Sequence, residues 1–242
     1  MKAGPTSSEQ DSDSLKIRAV ILDYGQVLAG HPTVQEFSRL AAIFNVDYES
    51  FYRVWEGGRD IYDRGDLTAE EYWRKLASQT NTSLGGEQIE MLREVEIEIW
   101  THPIPGMLEW VTQLRAGGIK TGLLSNMPLD LVTHLRKNCP WVEHFTFQTF
   151  SSEVRLIKPA PAIYEHTLSG LGAVAEETLF VDDREPNIRA ARALGIHAIQ
   201  FQSVAQLRRD LEKLGFPILP VPVSHSAAPP FPSHQGIKAM AG

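Results

Sequence analysis

Five short segments, residues 17–22, 120–124, 145–150, 178–181 and 196–201, are β-rich and carry little polar alternation. Runs of this kind suit strands buried on both faces, as in a parallel sheet covered by helices. Segments with helical spacing separate the later runs. Residues 108–114 stop at Gly117 and Gly118, residues 163–171 at Gly172 and residues 188–194 at Gly195, each with glycine where a left-handed C-terminal cap belongs. Ser203 with Gln206 has the spacing of a capping box for one more helix, ending near Gly215. Strand and helix in alternation predict an α/β fold with right-handed crossovers, a Rossmann-like parallel sheet.

The interval between the first and second strands is too long for one crossover, and it reads as helices. Thr68 with Glu71 is a capping box opening a helix through Tyr72 and Trp73, and Ile89, Leu92, Val95 and Ile99 repeat close to a 3.6 period. A helical cap domain inserted after the first strand is therefore expected, above the C-terminal edge of the sheet, where ligands bind in open α/β folds. The expected division is residues 16–30 and 103–215 for the α/β core and residues 31–102 for the cap. Residues 1–15 have almost no apolar content and read as a disordered tail. Six of the 15 prolines fall between Pro217 and Pro232, so residues 216–242 read as a second, Pro-rich disordered tail.

Composition narrows the function. Apolar residues make up 43% and charged residues 22% of the 242, which fits a soluble globular protein. Lys plus Arg is 23 against 30 for Asp plus Glu, a net charge of −7 with no basic block, which argues against nucleic-acid and anionic-membrane partners. No run reaches the ~18 apolar residues of a membrane span. Cys139 stands alone and no apolar stretch follows Lys2, so the expectation is a cytoplasmic chain without disulfide or secretory signal. The eight histidines form no zinc-binding spacing, and no nucleophile elbow is present. Gly25 and Gly30 have the spacing of a phosphate loop, but His31-Pro32 stands where Lys-Ser/Thr is required.

Four constellations carry candidate chemistry. Asp23 directly follows an apolar run, which holds its carboxylate rigidly at the ligand crevice, although an Asp in this place is also a common turn residue. Ser125-Asn126 ends the next run with a hydroxyl and an amide that can donate to phosphate oxygens; Asn126 equally suits a helix cap. Lys158-Pro159 fixes a cation ahead of a rigid proline. Asp182-Asp183 puts adjacent carboxylates at the end of a buried strand, where their repulsion calls for a cation or a donor.

In this order the four resemble the haloacid dehalogenase superfamily of hydrolases, over residues 17–214. The chain is most similar to its phosphatases with a helical cap, including bacterial sugar-phosphate phosphatases and the N-terminal phosphatase domain of soluble epoxide hydrolases. IKPAPAIYEHTL and LFVDDREPNIRAARALGI carry most of that likeness. The resemblance implies a Mg²⁺-dependent phosphatase for a small phosphorylated metabolite, a sugar phosphate first, working through an aspartyl-phosphate. Asp23 would be the nucleophile; Asp23, the Gly25 carbonyl and Asp183 would hold Mg²⁺, with Asp182 helping through water. Ser125 and Asn126 would bind phosphoryl oxygens, Lys158 would balance charge, and Asn187 would orient Lys158 or a metal-bound water. On these terms Asp23 and Asp183 should approach within roughly 7 Å, a metal bridge plus one water.

One position departs from the family. Its phosphatases commonly carry a second Asp two residues after the nucleophile, as general acid and base, and this sequence has Gly25 there. That leaves a proton-transfer contribution of roughly 10² to 10⁴ in rate without an assigned residue. His31, close after the motif, is a candidate substitute. In the cap, Phe51, Tyr52, Arg53, Trp55, Arg59, Tyr62 and Arg64 mix aromatics with arginines, a composition able to contact a sugar or a second anionic group. Two other functions compete: a metal-independent 2-haloacid dehalogenase, for which paired carboxylates have no use, and a catalytically weak regulatory module of the same fold.

Overall fold

The computed structural model describes residues 16–220. Strand β1 (Ala19–Leu22) is followed by helices α1 (Val34–Phe44), α2 (Tyr48–Asp63), α3 (Ala69–Gln79), α4 (Gly86–Ile99) and α5 (Pro105–Ala116). Then come β2 (Lys120–Ser125), α6 (Leu129–Asn138), β3 (Phe147–Phe150), α7 (Ser151–Val154) and α8 (Pro161–Leu171). The chain closes with β4 (Thr178–Asp182), α9 (Glu185–Ala193), β5 (His197–Gln200) and α10 (Val204–Lys213).

The five strands form one parallel sheet in the order β3-β2-β1-β4-β5. All four residues of β1 are buried, because alternate side chains meet helices on opposite faces. Val20 and Leu22 pack with Trp110 of α5, Leu131 of α6 and Leu207 of α10. Ile21 packs with Phe180, Ile163 of α8 and Ile188 of α9 on the other side. The α/β sheet expected from the sequence is thus present, with β1 central. β2 aligns Ala19 with Lys120 and β4 aligns it with Thr178, so Asp23, Ser125 and Asp182 emerge at one edge. β1, β3 and β5 are each two residues shorter than their apolar runs, as expected where pairing ends before apolarity does, while β2 and β4 run one residue past theirs, to Ser125 and Asp182.

Helices α1 to α4 have a core of their own, around Phe37, Phe44, Phe51, Trp73 and Leu92. The Thr68–Glu71 capping box is formed, and a second one, Thr33–Glu36, starts α1. The Ser203–Gln206 box is only half made. The Ser203 hydroxyl accepts from Gln206 N at 3.1 Å, but the Gln206 carbonyl oxygen takes the N–H of Gln202 and not that of the cap residue. The insertion meets the sheet domain at the end of α2. There Gly65 has φ +80°, and a Cβ on it would sit 2.7 Å from the Ser152 carbonyl, so no larger residue fits. Arg93 of α4 also reaches Asp130 of α6 at 2.6 Å.

Phe216, taken above as the start of a tail, is instead buried, and Trp110 Nε1 donates to the Ile218 carbonyl at 2.9 Å. Pro217 forbids helix there but permits an extended strap, and the apolar Phe216 and Ile218 give that strap a reason to dock. The rest of the Pro-rich stretch and residues 1–15 lie outside the described residues. No helix among the described residues is long and apolar enough to cross a membrane.

Candidate active site

The chemistry gathers at the C-terminal ends of β1, β2 and β4, where the strand order reverses. The Lys158 ammonium is the centre of the group. It lies 2.8 Å from Asp23 Oδ1 and 2.7 Å from Asp182 Oδ2, and donates to the Leu124 carbonyl at 3.1 Å. Only 1% of its side chain is exposed. Burial by itself would lower the Lys158 pKa, but Asp182 and Asp23 outweigh it and keep the amine charged.

Asp182 has no exposed surface, and its oxygens are fully engaged. Besides Lys158 they accept from Arg184 N at 2.8 Å and from Asn187 Nδ2 at 2.9 and 3.0 Å. Asn187 sits in the first turn of α9, so that helix aims its amide back at the end of β4. The sequence expectation gave Asp182 a water-mediated share in metal binding and left Asn187 a choice between Lys158 and a metal-bound water. In the structure Asn187 orients Asp182, and Asp182 in turn fixes Lys158.

Asp23 Oδ1 also accepts from Tyr24 N at 2.6 Å, while Oδ2 has no hydrogen-bond partner among the described residues. Burial pushes the Asp23 carboxyl well above the usual carboxylate range, Lys158 opposing and the two neighbouring aspartates adding to the rise. Burial, with help from Asp182, likewise raises Asp183 to about 7. Oxygen atoms of Asp23, Asp182 and Asp183 lie within 4.8 Å of one another, well inside the separation expected from the sequence. Three carboxylates share one ammonium, and the surplus negative charge suits a divalent cation. The donors are all hard oxygens without His or Cys, which fits Mg²⁺ and disfavours zinc. Asp23 and Asp183 are close enough to share such an ion, and the Gly25 carbonyl, two residues after Asp23, is the third ligand expected from the sequence.

Ser125 and Asn126 end β2 beside this cluster. The Ser125 hydroxyl is buried, and among the described residues its hydrogen-bond contact is 3.5 Å to the Asn126 carbonyl, too long to hold it. Asn126 does not cap the following helix, whose N-cap is Pro128. Its amide clasps the backbone of Lys158, donating to the carbonyl at 3.0 Å and accepting the N–H at 2.9 Å. One amide N–H then remains for a phosphoryl oxygen. Ser151, which the sequence did not single out, is fully buried here; its hydroxyl accepts from Met127 N at 2.8 Å and donates to the Asp63 carbonyl of α2 at 2.5 Å. It ties the insertion to the loop that presents Ser125 and Asn126.

Two expectations fare differently. His31 is exposed, and no hydrogen bond or ion pair among the described residues joins it to the cluster. Of the three arginines named in this region, two are paired within the chain and Arg53 is exposed. Arg59 pairs with Asp63 at 2.8 Å and with Glu96, its guanidinium stacked over Trp55 and Tyr62, and Arg64 pairs with Asp66 at 2.5 Å. The aromatics divide: Phe51 and Tyr62 are buried in the insertion, while Tyr52 and Trp55 line a small cleft with Gln26, Pro32, Phe37 and Trp100.

Fold and cluster together define an α/β hydrolase. The family model of haloacid dehalogenase-like hydrolases matches residues 17–195, and the chain belongs to that family. Among curated proteins it is 33% identical over 126 residues to bifunctional epoxide hydrolase 2 of Rattus norvegicus, covering 48% of this chain and 22% of that protein. The chain thus spans about a fifth of the length of the first curated relatives it matches. It is 27% identical over 206 residues to a sesquiterpene phosphatase of Aspergillus oryzae, covering 81% of this chain and 96% of the relative. The same fold occurs in a predicted family hydrolase from Porphyromonas gingivalis, with TM-score 0.67, 22% identity and coverage of 82% and 98%. It occurs also in a family enzyme from Bacteroides thetaiotaomicron in complex with magnesium and inorganic phosphate, with TM-score 0.62, 23% identity and coverage of 77% and 94%. The L-2-haloacid dehalogenase RSc1362 shares it too, with TM-score 0.62, 20% identity and coverage of 90% and 91%.

Proposed function

We propose that the protein is a Mg²⁺-dependent phosphatase that hydrolyses a small phosphorylated metabolite through an aspartyl-phosphate on Asp23. One observation carries the reading: the Asp23 carboxylate is held at Oδ1 by Lys158, and carboxylate oxygens of Asp23, Asp182 and Asp183 gather within 4.8 Å of one another. Bound Mg²⁺ would shield that carboxylate from the phosphoryl charge. Asp23 Oδ2 attacks phosphorus as the ester P–O bond breaks, and the leaving oxygen takes a proton from solvent water, which the attacking water of the second step gives back. Water then attacks the same phosphorus, the bond to Oδ2 breaks, and inorganic phosphate leaves with Asp23 restored. Ser125 and the spare Asn126 N–H donate to the phosphoryl oxygens, and Lys158 balances their charge. The sesquiterpene phosphatase relative and the magnesium–phosphate complex of the Bacteroides enzyme support this chemistry. A 2-haloacid dehalogenase of this fold would need no metal, and the acidic cluster weighs against it.

The test is release of phosphate from 4-nitrophenyl phosphate by the purified chain. Activity is expected with Mg²⁺, a fall of roughly 10³-fold on chelation, and recovery on adding Mg²⁺ back. Chloride release from 2-chloropropionate in chelator, with no phosphate release in Mg²⁺, would replace the phosphatase by the dehalogenase. Phosphate release that chelation leaves unchanged would remove the metal from the mechanism.

A second expectation follows from Gly25. The residue is outside the left-handed region, and an added Cβ would lie 3.3 Å from Trp100 Cζ3, so a side chain requires the indole to give by a few tenths of an ångström. Without an acid there, 4-nitrophenyl phosphate should be turned over faster than benzyl phosphate, an alkyl ester that also carries a ring, by on the order of 10² to 10⁴ in kcat/KM. Gly25→Asp should narrow that gap by speeding the alkyl ester. If His31 supplies the proton, the two esters react alike in the natural protein and His31→Ala opens the gap; equal rates in both would point to another donor.

A further inference from the structure

Resting on the phosphatase reading and deepening it, we infer that the alcohol part of the substrate is a flat apolar group, a benzyl-like or otherwise unsaturated carbon skeleton, and not a sugar. The cleft lined by Gln26, Pro32, Phe37, Tyr52, Trp55 and Trp100 is the observation behind it. Trp100 connects the cleft to the reacting atoms. One ring edge lies against Gly25, two residues from Asp23, and the same side chain lines the cleft. Gln26, the next residue along, stands at the cleft with φ 61°, a strained conformation for a non-glycine residue, of the kind that clusters at ligand sites. The cleft thus borders the turn that carries Asp23, and the leaving group is assigned to it.

The walls specify the chemistry. Four of six lining side chains are aromatic, and their mutual contacts hold them fixed: Phe37 meets Trp55 edge-on at 4.9 Å, and Tyr52 lies 5.7 Å from Trp55. Such walls contact a ring or a double bond by stacking and dispersion and offer little to a polyol, each of whose hydroxyls needs a partner on desolvation. Among the side chains lining the cleft, Trp55 Nε1 is a buried donor without a hydrogen-bond partner, so the walls offer at most one N–H to an acceptor atom on an otherwise apolar skeleton. Of the three arginines named for a second anionic group, Arg59 and Arg64 are tied to Asp63, Glu96 and Asp66, while Arg53 is exposed to solvent and does not line the cleft. The cleft holds about 50 Å³ and opens to solvent, less than the roughly 150 Å³ of an apolar cavity that accepts benzene, so it takes the edge of one ring or a short unsaturated chain with the remainder at its mouth.

The test compares benzyl phosphate with glycerol 3-phosphate in Mg²⁺. Both release an aliphatic alcohol, so leaving-group acidity does not separate them. Benzyl phosphate is expected to be favoured on the order of 30-fold in kcat/KM, mostly through KM, as burial of one ring predicts. Tyr52→Ser should lower the ratio several-fold, and Tyr52→Phe should keep it. Benzylphosphonate, which cannot be hydrolysed, should change the intrinsic tryptophan fluorescence at lower concentration than methylphosphonate. Equal use of the two esters, a preference for glycerol 3-phosphate, or a benzyl preference that Tyr52→Ser leaves intact in folded protein would overturn the inference while the phosphatase reading stands. Hydrolysis of neither ester, nor of 4-nitrophenyl phosphate, would remove the phosphatase reading and this inference with it.

Discussion

Asp23→Asn is expected to lower kcat for 4-nitrophenyl phosphate by on the order of 10⁴-fold or more, because it removes the group that forms the covalent bond. The substitution is close to isosteric. The amide oxygen can still accept from Tyr24 N and Lys158, so the packing around β1 should survive. What disappears is the anionic oxygen at the Oδ2 position and with it one hard ligand for Mg²⁺. Asp183→Asn should behave differently, raising the Mg²⁺ concentration needed for half-maximal rate while leaving a measurable kcat at saturation. The two variants together separate attack from metal binding. Retention of a tenth of the native rate by Asp23→Asn, at any Mg²⁺ concentration, would exclude the aspartyl-phosphate route.

Much of this cluster was legible because it hangs on strands. A four-residue run buried on both faces leaves no choice of face, so Asp23 after Ala19–Leu22 and Asp182 at the end of β4 are located once the strands are. Ser125 and Lys158 follow by motif. Contacts that depend on chain segments far apart were not legible. Asn126 reads locally as a helix cap, and only the approach of residue 158 turns it into a clasp on the Lys158 backbone. Ser151 looks like an ordinary helix start until Asp63 arrives from the insertion.

The arginines of the insertion mislead for the same reason. On sequence, Arg59 belongs to a solvated or ligand-facing set, whereas Glu96, 37 residues away, and Asp63, one turn on, draw it inside. Trp100 stood at the end of a periodic apolar helix and gave no sign of its contact with Gly25. Phe216 was hidden by its surroundings: a Pro-rich composition predicts the absence of helix and of central strand, but it does not preclude an extended segment held by one buried aromatic and a tryptophan N–H.

Lys158→Met should be costly to both the fold and the reaction. The methionine fills most of the lysine's volume, so the loss is electrostatic. Asp23 and Asp182 are left facing each other, with Asp183 nearby, in a site from which water is largely removed. Breaking one side of a buried ion pair in this way typically destabilises by about 3–5 kcal/mol, more than replacing the whole set by apolar groups would. A lower urea midpoint with an unchanged slope is the expected signature. Mg²⁺ should recover more stability in the variant than in the natural protein, since the cation then takes over the charge balance that Lys158 gave the three carboxylates. Turnover should stay low even at saturating Mg²⁺, by roughly 10² to 10³, because the ammonium also balances the equatorial phosphoryl oxygens. A variant as stable as the natural protein without Mg²⁺ would mean that Asp23 and Asp182 do not depend on Lys158 for their charge. Full activity with normal stability would place the phosphoryl group away from Lys158 altogether.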